Sequence, residues 1–172
     1  MTPPPLQTQR LVLEALGPKH SAGMFLLWSR EEVCRYSGAA RDWNGNVIPL
    51  PVASRTDSDK IIHFFDQLAR AARGFRWALV RPETAEFIGT IGFNRLNPGA
   101  ELAFHLRPDF WGQGLMREAA GAALAWARQS GILTIEAFIE SANKESVGLA
   151  HRLGFAPTGL TRDGAGQFVL HL

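Results

Sequence analysis

The run from Ala100 to Ala119, "AELAFHLRPDFWGQGLMREA", constrains the fold more than any other part of the chain. It opens with an alternation of period two. Glu101, Ala103 and His105 share one face, while Leu102, Phe104 and Leu106 share the other, which is the pattern of a strand. Pro108 stops it. Gly112 and Gly114 then flank Gln113. Beyond them Met116, Ala119 or Ala120, Ala123 and Ala127 recur at helical spacing, with Leu124 and Trp126 adding bulk and Gly131 as the cap. A strand, a glycine turn and a helix start together form a seat for an anion. The first helical N–H groups lack acceptors and carry partial positive charge. Residues without a Cβ let a phosphate approach those amides. A tight turn alone would also explain two glycines, so context has to decide. Two phosphate loops are excluded: Arg117 stands where the dinucleotide fingerprint needs its third glycine, and Gly-Lys-Ser/Thr is absent.

The rest of the chain reads as alternating strands and helices. "RLVLEAL" (Arg10–Leu16) sets Leu11, Leu13 and Ala15 against Val12, Glu14 and Leu16, a first strand. Pro18 opens a helix with Met24, Leu27 and Trp28 on one face, and "SREEVCRY" reads as a further short helix. From Ser37 to Thr56 the chain is rich in Gly, Pro and Asn; a connection of this length is a lid or is disordered. Asp57 or Ser58 caps the next helix, Ile61, Phe65, Leu68 and Ala72 repeat along it, and Gly74 ends it. "FRWALV" and "EFIGTIGFNRL" are strands separated by the turn "RPETA". "ILTIEAFI" is apolar with little alternation, as a buried central strand would be. "NKESVGLAHRLGF" is a short helix with Asn143 as N-cap, Glu145 in the first turn and Gly154 as the left-handed cap. "TGLTR" and "QFVLHL" close a hairpin across "DGAG". No repeat or boundary interrupts this order, which predicts one α/β domain over 1–172 with a mixed sheet.

Composition narrows the function classes. The 172 residues are 46% hydrophobic and 20% charged, with a formal charge of +2. No Lys/Arg run tracks a nucleic-acid backbone, no apolar stretch reaches membrane-spanning length, and the first residues lack a secretory pattern. The one cysteine, Cys34, suits a reducing cytoplasm and reads as a small apolar helix residue. His20, His63, His105, His151 and His171 are scattered without ligand spacing, so no structural zinc is expected.

From about Leu6 to Leu172 the chain resembles the GNAT acetyltransferase superfamily, most closely the branch of ribosomal-protein N-terminal acetyltransferases. The resemblance is carried by "LQTQRLVLEAL", "EFIGTIGF", "AELAFHLRPDFWGQGLMREA" and "NKESVGLAHRLGF", in that order. It implies a mostly antiparallel central sheet flanked by helices, with two strands splayed at an acetyl-CoA site. It implies acetyl-CoA as donor, its pyrophosphate on the amides of Gly112, Gln113, Gly114, Leu115, Met116 and Arg117. Trp111 and Met116 depart from the family's Gln/Arg-x-x-Gly-x-Gly/Ala pattern, which bears on side-chain contacts and leaves the backbone cradle intact. Backbone groups of Phe104, His105 and Leu106 would pair with the pantetheine arm, and relatives of this kind commonly form homodimers.

Acetyl transfer to an amine needs a free amine, a held thioester, an oxyanion donor and a proton for the leaving thiolate. The tyrosine that many relatives use for that proton is replaced here by Ala150. The Asn-x-x-Ser pattern implies Ser146 as the acid, with Asn143 as its partner or as a cofactor contact; both also fit helix-cap roles. Glu101, acting through water, or His105 would be the base. Freeing an α-amine of pKa near 8 at neutral pH costs roughly 1.4 kcal/mol, and freeing a lysine roughly 4.6 kcal/mol. The pattern therefore favours a protein N-terminal α-amine or a small-molecule amine over a lysine. Trp28, Arg35, Tyr36 and Trp43 are expected near the acceptor. A catalytically idle acyl-CoA-binding module on the same fold is the competing reading.

Overall fold

The computed structural model describes residues 2–172. Ten strands and five helices follow in chain order: β1 (Leu6–Gln7), β2 (Val12–Ala15), α1 (Ser21–Trp28), α2 (Glu31–Cys34), β3 (Ala40–Arg41), β4 (Val47–Ile48), α3 (Arg55–Arg70), β5 (Phe75–Arg81), β6 (Glu86–Arg95), β7 (Ala100–Leu106), α4 (Leu115–Gln129), β8 (Thr134–Ile139), α5 (Lys144–Arg152), β9 (Ala156–Arg162) and β10 (Ala165–His171). Eight strands form one sheet in the order β1-β2-β5-β6-β7-β8-β10-β9, while β3 and β4 pair with each other. Every neighbouring pair in the large sheet is antiparallel except β7 with β8. The mixed α/β sheet is thus mostly antiparallel, as expected.

The two sides of the sheet bury different cores, because strand side chains alternate between faces. Leu11, Leu13, Phe75, Trp77, Ile91, Phe93 and Leu102 join the α4 stripe of Met116, Ala119, Ala120, Ala123, Leu124 and Ala127. Alanine keeps α4 close to the sheet, and Trp126 fills the remaining space, edge-on to Phe75 and Trp77. On the other side Leu16, Met24, Leu27, Trp28, Ile61, Ile62, Ala78 and Phe87 pack beneath α1 and α3. No helix among the described residues is long and apolar enough to cross a membrane.

Several local expectations need correction. The cap of α3 is Ser54, whose side chain accepts from Asp57 N; Asp57 and Ser58 lie inside the helix. The Ser54 hydroxyl accepts from Asp57 N and donates to Asp57 Oδ2, which fixes the start of the helix ahead of both inner residues. The helix ends at Arg70, and Ala72 takes a positive φ instead of extending the stripe. Gly74 is required for close approach, not as a cap: a Cβ there would meet Phe93 O at 2.5 Å. The 37–56 segment is ordered around the β3–β4 ribbon, because Ile48 and Val52 are buried against α1 and α3 and Val52 N donates to Trp28 O. Strand β8 alternates after all: Ile135, Ala137 and Ile139 are buried, while Glu136 and Phe138 are only partly so. Its second face carries Glu136, paired with Arg95, and Phe138, beneath the Arg162 guanidinium. Asn143, Gly131 and Gly154 take the cap positions assigned to them.

Candidate functional site

The mouth of α4 is open and polar in its backbone. Among the described residues no acceptor takes the N–H groups of Gly112 through Arg117, and the first helical bond runs from Glu118 N to Gly114 O. Gly112 and Gly114 both lie at positive φ, 72° and 74°, a region that glycine enters without steric cost. A Cβ at Gly112 would meet nothing within 4 Å, and one at Gly114 would have Arg10 Nη2 at 3.6 Å. Six consecutive donors beside the positive end of a 15-residue helix form an anion cradle.

The N-terminal segment holds this cradle in shape. Arg10 Nη1 donates to Gln113 O at 2.9 Å, and Arg10 Nε donates to Glu118 Oε2 at 2.7 Å. Thr8 Oγ1 and Arg10 N both donate to Glu118 Oε1. Burial pushes the Glu118 carboxyl up, but the bonds from Thr8 and Arg10 outweigh it and hold the carboxyl below its ordinary value. Sequence reasoning missed this clamp. Its partners lie 108 residues apart, and nothing local marks them.

The sheet opens beside the cradle. Strands β7 and β8 pair only at Ala100–Ile135 and Glu101–Glu136, so the rest of β7 has no partner on that edge. The His105 carbonyl lies toward Gly89 of β6. Strand alternation therefore turns the backbone groups of Phe104 and Leu106 to the open edge. There Trp111 Nε1 donates to Leu106 O at 2.8 Å, leaving Phe104 N–H and C=O facing the gap.

A cavity of about 920 Å³ joins the two features. Phe104, His105 and Leu106 of β7 line it, with Gly112, Gly114, Leu115, Met116 and Arg117 at the α4 mouth. Asn143 and Ser146 face it from α5, and Arg35, Tyr36 and Ser37 from the end of α2. Asn143 Oδ1 accepts from Ser146 N at 3.2 Å, so the cap uses the serine backbone and not its hydroxyl. Ala150, buried on α5, offers no acid. Trp43 lies apart from the lining, against Phe64. A second cavity of about 530 Å³, at the far end of α4, has no titratable side chain in its lining.

Glu101 and His105 sit on the side of β7 turned away from α4, in different settings. Glu101 is 8% exposed and lies outside the cavity lining. Its Oε1 accepts from Asn94 Nδ2 and its Oε2 from Arg162 Nη1, both at 2.8 Å. Burial raises its pKa, but the bonds from Arg162 and Asn94 prevail and keep it ionised below the usual carboxyl range. The His105 ring packs on Trp28 with centroids 4.5 Å apart, and its Nδ1 is buried without a partner. Burial, helped by the nearby Arg76 charge, lowers its pKa to about 3, so the imidazole is neutral at pH 7.

Comparisons with known proteins agree with this geometry. Residues 10–156 match the family described as the acetyltransferase (GNAT) domain. The chain is 29% identical over 163 residues to the uncharacterised N-acetyltransferase YoaA of Bacillus subtilis (strain 168), covering 92% of this chain and 86% of that one. It is 30% identical over 120 residues to an L-methionine sulfoximine/L-methionine sulfone acetyltransferase of Pseudomonas paraeruginosa, covering 66% of this chain and 65% of that one. The fold superposes on a ribosomal-protein α-N-acetyltransferase solved with coenzyme A, with a TM-score of 0.80, 19% identity and 98% coverage of both chains. An anion cradle at a helix mouth, a parted pair of strands and a family match across most of the sequence converge on one statement: this chain belongs to the GNAT family of N-acetyltransferases.

Proposed function

We propose that the chain transfers an acetyl group from acetyl-CoA to an α-amine by direct attack on the thioester. The observation that carries this is the row of six unpaired N–H groups, Gly112 to Arg117, opening onto the cavity between β7 and β8. These residues fit the coenzyme. The row suits a diphosphate, the Phe104 backbone suits the amides of a pantetheine arm, and the free width beside β7 suits a thin chain. Bound acetyl-CoA supplies an activated acyl carbonyl to the acceptor. The remaining tasks fall to side chains. Ser146 donates the proton that the departing sulfur requires, and Asn143 fixes the turn that presents it. His105, neutral across the working range, shapes the cavity beside Trp28 and carries no charge. Glu101 draws the ammonium form of the acceptor and passes its proton to water. A carboxylate is a weak base, yet it suffices for an amine whose deprotonation costs only about 1.4 kcal/mol. The acceptor of the Pseudomonas relative, an amino acid by its name, favours a small α-amine over a protein terminus.

A competing reading is an idle acyl-CoA-binding module, favoured by the apolar Ala150 on α5. Thiol release from acetyl-CoA across a panel of amines separates the two. In the enzyme, Ser146→Ala lowers kcat by about 100-fold and leaves the affinity for CoA in calorimetry intact. No calorimetric uptake of CoA sinks both readings. Uptake without release from any amine leaves only the idle module.

A further inference from the structure

We infer that the acceptor carries a carboxylate close to its amine, as a free α-amino acid does, and that Arg162 receives it. The inference rests on the acetyl-transfer reading above. It starts from the charges gathered where β7 and β8 part. Arg95 and Arg162 share that place with two carboxylates, Glu101 and Glu136, and Arg76 of β5 reaches toward it through Asn94, its guanidinium 4.5 Å from the centre of the Phe65 ring. Arg162 pairs with Glu101 at 2.8 Å, and Arg95 pairs with Glu136. Arg76 is left over. It is 4% exposed and forms no ion pair among the described residues. One of its terminal nitrogens donates to Asn94 Oδ1, and the other, Nη1, is buried with no partner. Arg95 Nε is unpartnered as well. A buried cation without its own anion is costly, and here a single carboxylate, Glu101, serves two guanidinium groups. The cluster is one anion short.

Its position restricts the net charge that an acceptor can bring. Glu101 and Glu136 form the last rung before the strands separate. An amine arriving there as an ammonium would add a further positive charge to a cluster that already has an excess. Only an acceptor bringing its own negative charge avoids that repulsion. Arg162 is the member able to move. Its side chain is 47% exposed at the end of edge strand β9, and its guanidinium lies 3.6 Å above the Phe138 ring on β8. It can leave Glu101 without disturbing the core. The acceptor ammonium then takes its place on Glu101 Oε2, and the freed guanidinium grips the acceptor carboxylate in its two-pronged geometry. In the free protein the Arg162–Glu101 pair stands in for the zwitterion it would hold.

The test compares matched acceptors in the native protein: L-amino acids, their amides, and the amines lacking the carboxyl group, with thiol release followed at fixed acetyl-CoA. The expected kcat/KM for the acid exceeds that for the amide by roughly 10- to 100-fold, mostly through KM. In Arg162→Met that preference shrinks toward parity, while Arg162→Lys keeps part of it. Equal turnover of acid, amide and plain amine by the native protein overturns the inference and leaves acetyl transfer standing. A preference that survives Arg162→Met overturns the assignment to Arg162. Release from none of the amines, with CoA still bound, sinks acetyl transfer itself. The native acid-to-amide ratio decides the substrate class even if the variant folds poorly.

Discussion

The mouth of α4 and the underside of β7 solve the problem of holding charge in opposite ways. At the mouth the groups are main-chain N–H donors, placed by two glycines at positive φ and braced from outside by Arg10 and Glu118. No side chain has to touch the anion, so Trp111 and Met116 can depart from the family pattern without spoiling the cradle. Under β7 the groups are side chains packed around Glu101, with Arg76 buried and His105 kept neutral. That arrangement depends on every member being present, because a buried charge that loses its partner has nowhere to spread. The lesson is that a backbone site tolerates sequence change around it, whereas a network of buried charges does not.

The most severe way to break the contrast is to neutralise Glu101. Glu101→Gln removes the carboxylate that offsets the buried Arg76 and pairs with Arg162, and should cost about 3 kcal/mol of stability. For a chain of this size that lowers the melting temperature by roughly 6–12 °C, read by calorimetry. An unchanged melting temperature would mean that the network is solvated and not buried. At the mouth the equivalent damage is to Gly114. Gly114→Val forces a branched residue to positive φ and crowds Arg10, whose Nη2 lies 3.6 Å from a Cβ there, so CoA affinity should fall by about 100-fold. Titration calorimetry measures this, and affinity near the native value would place the coenzyme elsewhere.

Two gentler changes sharpen the comparison. His105 titrates near 6.5 when unfolded and about 3 when folded. The stability that its neutral ring contributes is complete above pH 6.5 and drains away as pH falls toward 3. The slope reaches up to about 1.4 kcal/mol per pH unit. Denaturant unfolding at pH 7, 6, 5 and 4 should show this loss, flattened in His105→Gln; parallel curves for the two proteins would refute it. Asn143→Ala removes the side-chain acceptor of Ser146 N and should cost about 1 kcal/mol, with fraying of α5 seen in amide exchange.

Much of the donor side was legible beforehand because its determinants are local. Alternation marked β7, Pro108 ended it, the glycines pointed to a turn or an anion seat before a helix, and alanine spacing named the buried stripe of α4. The caps at Asn143, Gly131 and Gly154 were legible for the same reason: each is decided within a few residues. Local reasoning failed where long-range packing prevailed. Segment 37–56 looks unstructured by composition, yet burial of Ile48 and Val52 orders it. Strand β8 reads as continuously apolar, but only its Ile135–Ala137–Ile139 face is buried; on the other face Glu136 pairs with Arg95 and Phe138 lies under the Arg162 guanidinium.

The sequence by itself determined which segments become strands and helices, where they stop, and that an anion-ready helix mouth follows β7, since propensity, capping and glycine geometry act over a few residues. Only the tertiary structure decided that Arg10 braces that mouth, that Glu101 is held by Asn94 and Arg162, and that Arg76 lies buried without an ion pair. Electrostatic partners are chosen by distance in space, and the chain brings Arg162 to within 2.8 Å of Glu101 only after the whole sheet has closed around them.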